Sequence, residues 1–161
     1  MDDLRGNWQE ETKLWQVALL RIFFGYYFLL DGFGKLTGGF TRPGVLEKRL
    51  LGWAKDVAFE WYKPFLEGLA IPHHQLFAHL VAWGMVLAGL GLLFGLLTRP
   101  AALGGIFMML HFLLAKGGGS PATTSDQAFI AGLLVVFLTR SGRSFGLDRI
   151  LARRYPSSFL W

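Results

Sequence analysis

The stretch from Leu14 to Leu36 is an apolar, aromatic run long enough to cross a bilayer, and it carries Arg21, Asp31 and Lys35 within that length. A helix needs about 20 residues to traverse the hydrocarbon. With no water there to satisfy N–H and C=O groups, a lone spanning segment has to be helical. Ionisable side chains at that depth are costly and turn toward a bundle interior or a wet cavity. The stretch therefore predicts a membrane helix with one charged face directed at its neighbours.

The rest of the chain fits that reading. Of its 161 residues 53% are hydrophobic and only 17% charged, with a mean hydropathy of +0.40. The apolar residues fall into blocks at about 14–36, 73–97, 101–116 and 124–140. Between the first two, residues 43–69 mix Leu50, Leu51, Trp53, Trp61 and Phe65 with Lys48, Arg49, Lys55 and Glu60, and no uncharged window is long enough to span. The expected fold is all-α: a single domain over 1–161, an integral membrane four-helix bundle with an additional amphipathic interfacial helical segment between the first two helices. A soluble cap on the bundle mouth is the other reading of that segment. The third and fourth blocks are short for a full crossing, which calls for tilt or for protein neighbours.

Several function classes drop out. The polar N-terminus up to Lys13 lacks the basic start and small-residue cleavage site of a signal peptide, so the first helix is expected to stay in the mature protein. With no cysteine, the chain supports neither thiol chemistry nor iron–sulfur ligation of its own. The net charge of +5 comes from residues flanking the apolar blocks and not from a basic domain, so nucleic acid is not an expected partner. Trp8 and Trp15 mark the headgroup level at the start of the first helix. Lysine and arginine are nearly balanced between the two sides, and the Arg-rich stretch right after the last block, with Arg143 and Arg149, tips the expectation toward both termini in the cytoplasm, in a bacterial or archaeal cell membrane.

Small residues mark the inner faces. Gly25 and Gly32 share the stripe of Arg21, Phe28 and Lys35, and Gly34 is a third glycine that permits close approach. Gly84, Ala88, Gly91 and Gly95 form a stripe on the second helix, and Ala101, Gly104, Met108, His111 and Ala115 form one on the third. The topology gathers Asp31, Lys35, His73, His74, His111 and Asp126 at one membrane face. His111 can hydrogen-bond a quinone carbonyl or relay a proton. Asp31 and Lys35, four apart, can equally pair with each other, and Arg21 can snorkel. Thr124 and Gln127 match a capping box that puts Asp126 in the first turn of the fourth helix. No pair of these groups has the helical spacing of a metal motif, and no metal site is expected.

Three pieces of sequence together resemble the DoxX family, which includes the DoxD-type membrane subunit of thiosulfate:quinone oxidoreductase. They are Leu20-Arg21 with Gly25, Phe28, Gly32 and Lys35; the turn from Gly95 to Ala102; and Ser141-Gly142-Arg143-Ser144-Phe145-Gly146-Leu147-Asp148. The resemblance implies a four-helix membrane protein associated with redox partners. One departure is that family members often carry an acidic residue about where this chain has Trp83-Gly84-Met85.

Two functions follow as expectations. In the first, the chain is the quinone-binding membrane subunit of an oxidoreductase, with His111 and Asp31 as catalytic groups and Arg21, Lys35 and His111 binding a noncovalently held quinone, while a partner supplies electrons. In the second, it is a non-catalytic accessory subunit of a respiratory or photosynthetic membrane complex, its Phe and Trp residues packing on lipids, pigments or partner helices.

Overall fold

The computed structural model describes residues 14–55, 57, 59–116, 121–155, 158 and 160. Trp8, Lys13 and the Gly117–Ser120 connection lie outside the described residues. Helix α1 spans Leu14–Thr37, α2 Val45–Lys55, α3 His74–Phe94, α4 Thr98–Lys116, α5 Pro121–Leu138 and α6 Asp148–Arg154. Between α2 and α3, residues 60–70 wind through a 3₁₀ turn, an α turn and a π turn over Leu66–Ala70. No strand occurs among the described residues.

The four long helices close into a ring in which α1 packs on α3 and α5, and α4 packs on α5 and α3. Glycine sets the closest of these contacts. A Cβ on Gly25 would lie 2.5 Å from the Leu93 nitrogen, one on Gly32 2.8 Å from the Val86 nitrogen, and one on Gly89 2.6 Å from the Leu29 nitrogen. Backbone therefore meets backbone along the antiparallel α1–α3 seam, where association rests on van der Waals contact because lipid gives helices no hydrophobic incentive to pair. Gly34 takes no part, since a Cβ there would meet open space. Inside the ring, Phe24, Phe28, Met85, Leu92, Ala102, Met109, Leu133 and Val136 form the main core.

The outer surface is apolar. Leu19, Phe23, Tyr26, Leu30 and Phe33 lie exposed along α1, and Leu76, Leu80, Trp83, Leu87 and Phe94 along α3. Belts of this extent belong against lipid or protein, not water. Helices α1, α3 and α4 are long and apolar enough to cross a membrane, whereas the apolar part of α5, Thr123–Leu138, is shorter.

The α3–α4 connection departs from expectation in an informative way. Helix α3 stops at Phe94, before the expected Leu97, because Gly95 adopts a left-handed φ of 63° and the Leu96 N–H bonds back to the Gly91 carbonyl at 2.9 Å. Helix α4 starts at Thr98, ahead of Pro100. Its first N–H groups are capped by a side chain fifty residues away: the Leu97 and Thr98 amides donate to the Asp148 carboxylate at 2.7 and 2.9 Å. Proline fits in that first turn because its missing N–H would have no helical acceptor. At the start of α5, Pro121 takes the first helical position, so Thr124 lies inside the helix and not at its cap.

Arg21 belongs to the same knot. It is completely buried, and its guanidinium donates to the Ser141 carbonyl at 3.1 Å and the Phe145 carbonyl at 3.0 Å. Those carbonyls lie in the segment after α5, which also donates its Leu147 and Asp148 amides to the Phe94 and Gly95 carbonyls. A Cβ on Gly95 would fall 2.2 Å from Arg21 Nη1, and one on Gly146 2.6 Å from the same atom. One cation thus ties the first helix to the end of the last, over the turn that joins α3 and α4.

Replacing Arg21 by Met keeps much of the side-chain bulk and leaves the buried Ser141 carbonyl and the part-buried Phe145 carbonyl without their donor. We expect a loss of about 2–4 kcal/mol, read as a fall of roughly 4–16 °C in the thermal midpoint in detergent. Asp148→Ala, which uncaps α4, should cost about 1–2 kcal/mol. An unchanged midpoint in both variants would contradict the knot.

Candidate functional site

At the opposite end of the ring a second apolar cluster forms a lid. Leu46, Leu50 and Ala54 of α2, Tyr62, Leu66 and Ala70 of the 60–70 segment, Ala78 of α3 and Ala115 of α4 pack together, apart from the main core. Leu46, Leu50 and Ala54 are the buried residues of α2, four apart on one face, while Lys48, Arg49 and Lys55 are exposed. The amphipathic pattern thus folds the lid onto the α3–α4 hairpin.

Between lid and hairpin lies a cavity of ≈ 470 Å³. The hairpin is tight near its turn, where a Cβ on Gly91 would sit 2.8 Å from the Ala101 methyl. Farther along, Gly84 and Gly104 line the cavity; a Cβ on Gly104 would meet nothing within 4 Å, and one on Gly84 would lie 3.2 Å from the Met108 sulfur. Aromatic walls come from Trp53, Phe65, Phe77, Phe107 and Phe112.

Two side chains bring polar chemistry to these walls. The Tyr62 hydroxyl lies 2.7 Å from His111 Nδ1. Phe107 stands edge-on to the imidazole at a centroid distance of 4.4 Å, and Phe65 lies beside it at 5.4 Å. Burial pushes the Tyr62 phenol up to about 12, so it keeps its proton at any physiological pH. A phenol that donates to Nδ1 leaves the imidazole proton on Nε2, and among the described residues nothing hydrogen-bonds that atom. The pair can therefore present one N–H donor inside an apolar chamber.

The remaining polar residues expected at this face resolve into separate pairs. Lys35 donates to Asp31 one helical turn away. Lys116 donates to both carboxylate oxygens of Asp126, at 3.1 and 2.8 Å, and so ties the end of α4 to α5. Asp126 is thus the sixth residue of its helix and an ion-pair partner, not a first-turn cap. His74 approaches Glu47 of the lid at 3.9 Å, while His73 and His79 are exposed. Asp31, Lys35 and Arg21 are not among the cavity-lining residues. Arg21 sits about 15 Å from Asp31 along α1, in the knot at the other end.

Tyr62 was not legible as a site residue from sequence, because nothing in the mixed 43–69 segment says which of its aromatics folds over His111. No group of three or more potential metal ligands occurs among the described residues.

Comparison with known proteins places this architecture. The inner membrane protein YqjF of Escherichia coli (strain K12) is 28% identical over 127 residues, covering 70% of this chain and 95% of that protein. No solved structure matches. The family model for DoxX matches residues 16–115, from the first helix through the hairpin that carries His111. The chain is a membrane protein belonging to the DoxX family.

Proposed function

We propose that the chain is the quinone-binding membrane subunit of an oxidoreductase, with all four long helices crossing the cell membrane and both termini in the cytoplasm. The observation that carries this reading is the His111–Tyr62 pair, set in an otherwise apolar, aromatic cavity of ≈ 470 Å³. That volume lies within the range of small-molecule sites, about 300–1,000 Å³. Flat aromatic walls suit a quinone ring, and a single N–H donor suits one of its carbonyls. A bound quinone supplies the capacity to accept two electrons and two protons. The cysteine-free chain has no thiolate ligands for an iron–sulfur centre, so the electrons come from a redox cofactor carried by a partner subunit.

His111 is the group that holds the ring and passes a proton to its nearer oxygen, and Tyr62 fixes the imidazole tautomer. Asp31 with Lys35, and Arg21, act in this reading through the bundle and not on the ligand.

Binding of a ring-only naphthoquinone to the protein in lipid nanodiscs tests the assignment. His111→Ala should weaken binding at least about tenfold, and Tyr62→Phe by roughly fivefold, consistent with loss of one hydrogen bond. Asp31→Asn should stay within about twofold of wild type, a margin worth only a few tenths of a kcal/mol. Full binding by His111→Ala would refute the reading.

The phenol gives a separate prediction. Its folded-state value of about 12 lies above the ordinary 10.0, so the neutral form is favoured by folding. The difference in stability between wild type and Tyr62→Phe should be constant below pH 10, then shift against the wild type as pH rises toward 12. Denaturation in detergent across that interval measures it; parallel curves would contradict the burial of Tyr62.

A second reading, an accessory subunit without chemistry of its own, draws on the short apolar part of α5 and on exposed aromatics such as Trp61, Phe33 and Phe107. Native mass measurement after gentle extraction separates the two. A stable assembly whose activity is indifferent to His111→Ala favours the accessory role.

A further inference from the structure

The cavity has a direction. Along α4 it runs from Ala115 beneath the lid to Gly104, eleven residues or about 16 Å away. Its polar pair lies toward the lid end, since His111 is one turn from Ala115. The other end is lined by Gly84, Gly104, Met108 and Phe107 without a charged or hydrogen-bonding side chain. Gly84 and Phe107 stand at the middle of α3 and α4, both among the helices long and apolar enough to cross a membrane. The chamber therefore extends from one membrane face to mid-membrane depth, polar at the face and apolar at the middle.

That arrangement matches an amphiphile lying in a leaflet. A polar head belongs near the interface and an alkyl tail near the midplane, because methylene groups favour hydrocarbon over water. The flank of the chamber is also open between the lid and that depth. Phe107 lines it at mid-membrane and Leu80 about one turn of α3 nearer the lid, yet Leu80 is 56% and Phe107 63% exposed, in the lipid-facing belts of α3 and α4. Two glycines replace the side chains that would otherwise close the gap: Gly104 faces open space, and Gly84 faces only the flexible Met108 thioether, 3.2 Å from an added Cβ.

Resting on the quinone reading above, we propose that the ligand carries a polyprenyl tail and exchanges sideways with the bilayer, the tail passing through the slot bounded by Leu80 on the lid side and Phe107 at mid-membrane. The ring lies under the lid with one carbonyl at the His111–Tyr62 pair. The tail runs past Gly84 and Gly104 and leaves into lipid in the orientation it already has there. Gly104 is accordingly a specificity-determining position: its missing side chain admits the tail, and a bulky residue there would leave room for bare rings alone.

The test uses the full chain in lipid nanodiscs and two probes. One is 2-methyl-1,4-naphthoquinone; the other is the same ring with a short polyprenyl tail ending in a photoreactive diazirine. The tailed probe should bind the wild type and, on irradiation, label residues around Leu80, Gly84 and Phe107. Gly104→Phe, which fills the slot, should weaken the tailed probe at least about tenfold, because the phenyl ring and the tail cannot occupy the same space. The same variant should leave the bare ring within about twofold, which also shows that it is folded. Leu80→Trp should give a milder effect of the same sign.

Equal binding of the tailed probe by wild type and Gly104→Phe, or labels along the exposed face of α1, would overturn the slot while the bare ring's binding keeps the quinone reading intact. If neither probe binds the wild type, the quinone reading falls and the slot with it.

Discussion

The buried guanidinium of Arg21 is the tie on which the ring of helices depends. A charge in the membrane interior is tolerated only with strong acceptors, and here two main-chain carbonyls from beyond the last long helix fill that role. The consequence spreads outward. The segment that supplies those carbonyls also presents Asp148 to the exposed start of α4, and it bonds through its own amides to the end of α3. One cation thereby fixes the relation of α1, the end of α5 and the α3–α4 turn. With that end closed, α3 and α4 are held together at the turn.

The rest of that hairpin borders the chamber. In an antiparallel hairpin of uniform contact, small residues would bring the backbones together throughout, as they do at Gly91 and Ala101. Gly84 and Gly104 line the chamber, and there the same residue type borders no backbone: a Cβ on Gly104 would meet nothing within 4 Å, and one on Gly84 would meet only the Met108 thioether. The lid then covers the space with its own cluster of buried residues and contributes Tyr62. Glycine does opposite work at the two ends of one hairpin.

How much of this could be read from sequence depends on the range of each interaction. The spans, the inward stripes and the placing of His111 on the third stripe follow from apolar length and from the 3.6-residue period, both local properties. Gly25 and Gly32 were rightly placed at a close seam, but Gly34, two residues on, points elsewhere, as the helical period requires. The start of α4 was misplaced because proline argued locally for a break, while the cap that extends the helix comes from Asp148, fifty residues downstream. Asp126 read as a cap because its partner Lys116 lies across a connection. The Ser141–Asp148 motif was visible as a pattern, but its role as the acceptor for Arg21 was not, since nothing in spacing links residue 21 to residue 141.

The position of Gly104 has a consequence for how such a scaffold diversifies. A side chain added there meets nothing, so the chamber can be narrowed one methyl group at a time without disturbing a contact that holds the helices. The knot around Arg21 tolerates no such increments, since a Cβ on Gly95 or Gly146 would collide with the guanidinium. Variation is thus cheap beside the chamber and forbidden at the end that holds the fold. A lineage built on this plan can change what it accommodates in small steps while its architecture stays put.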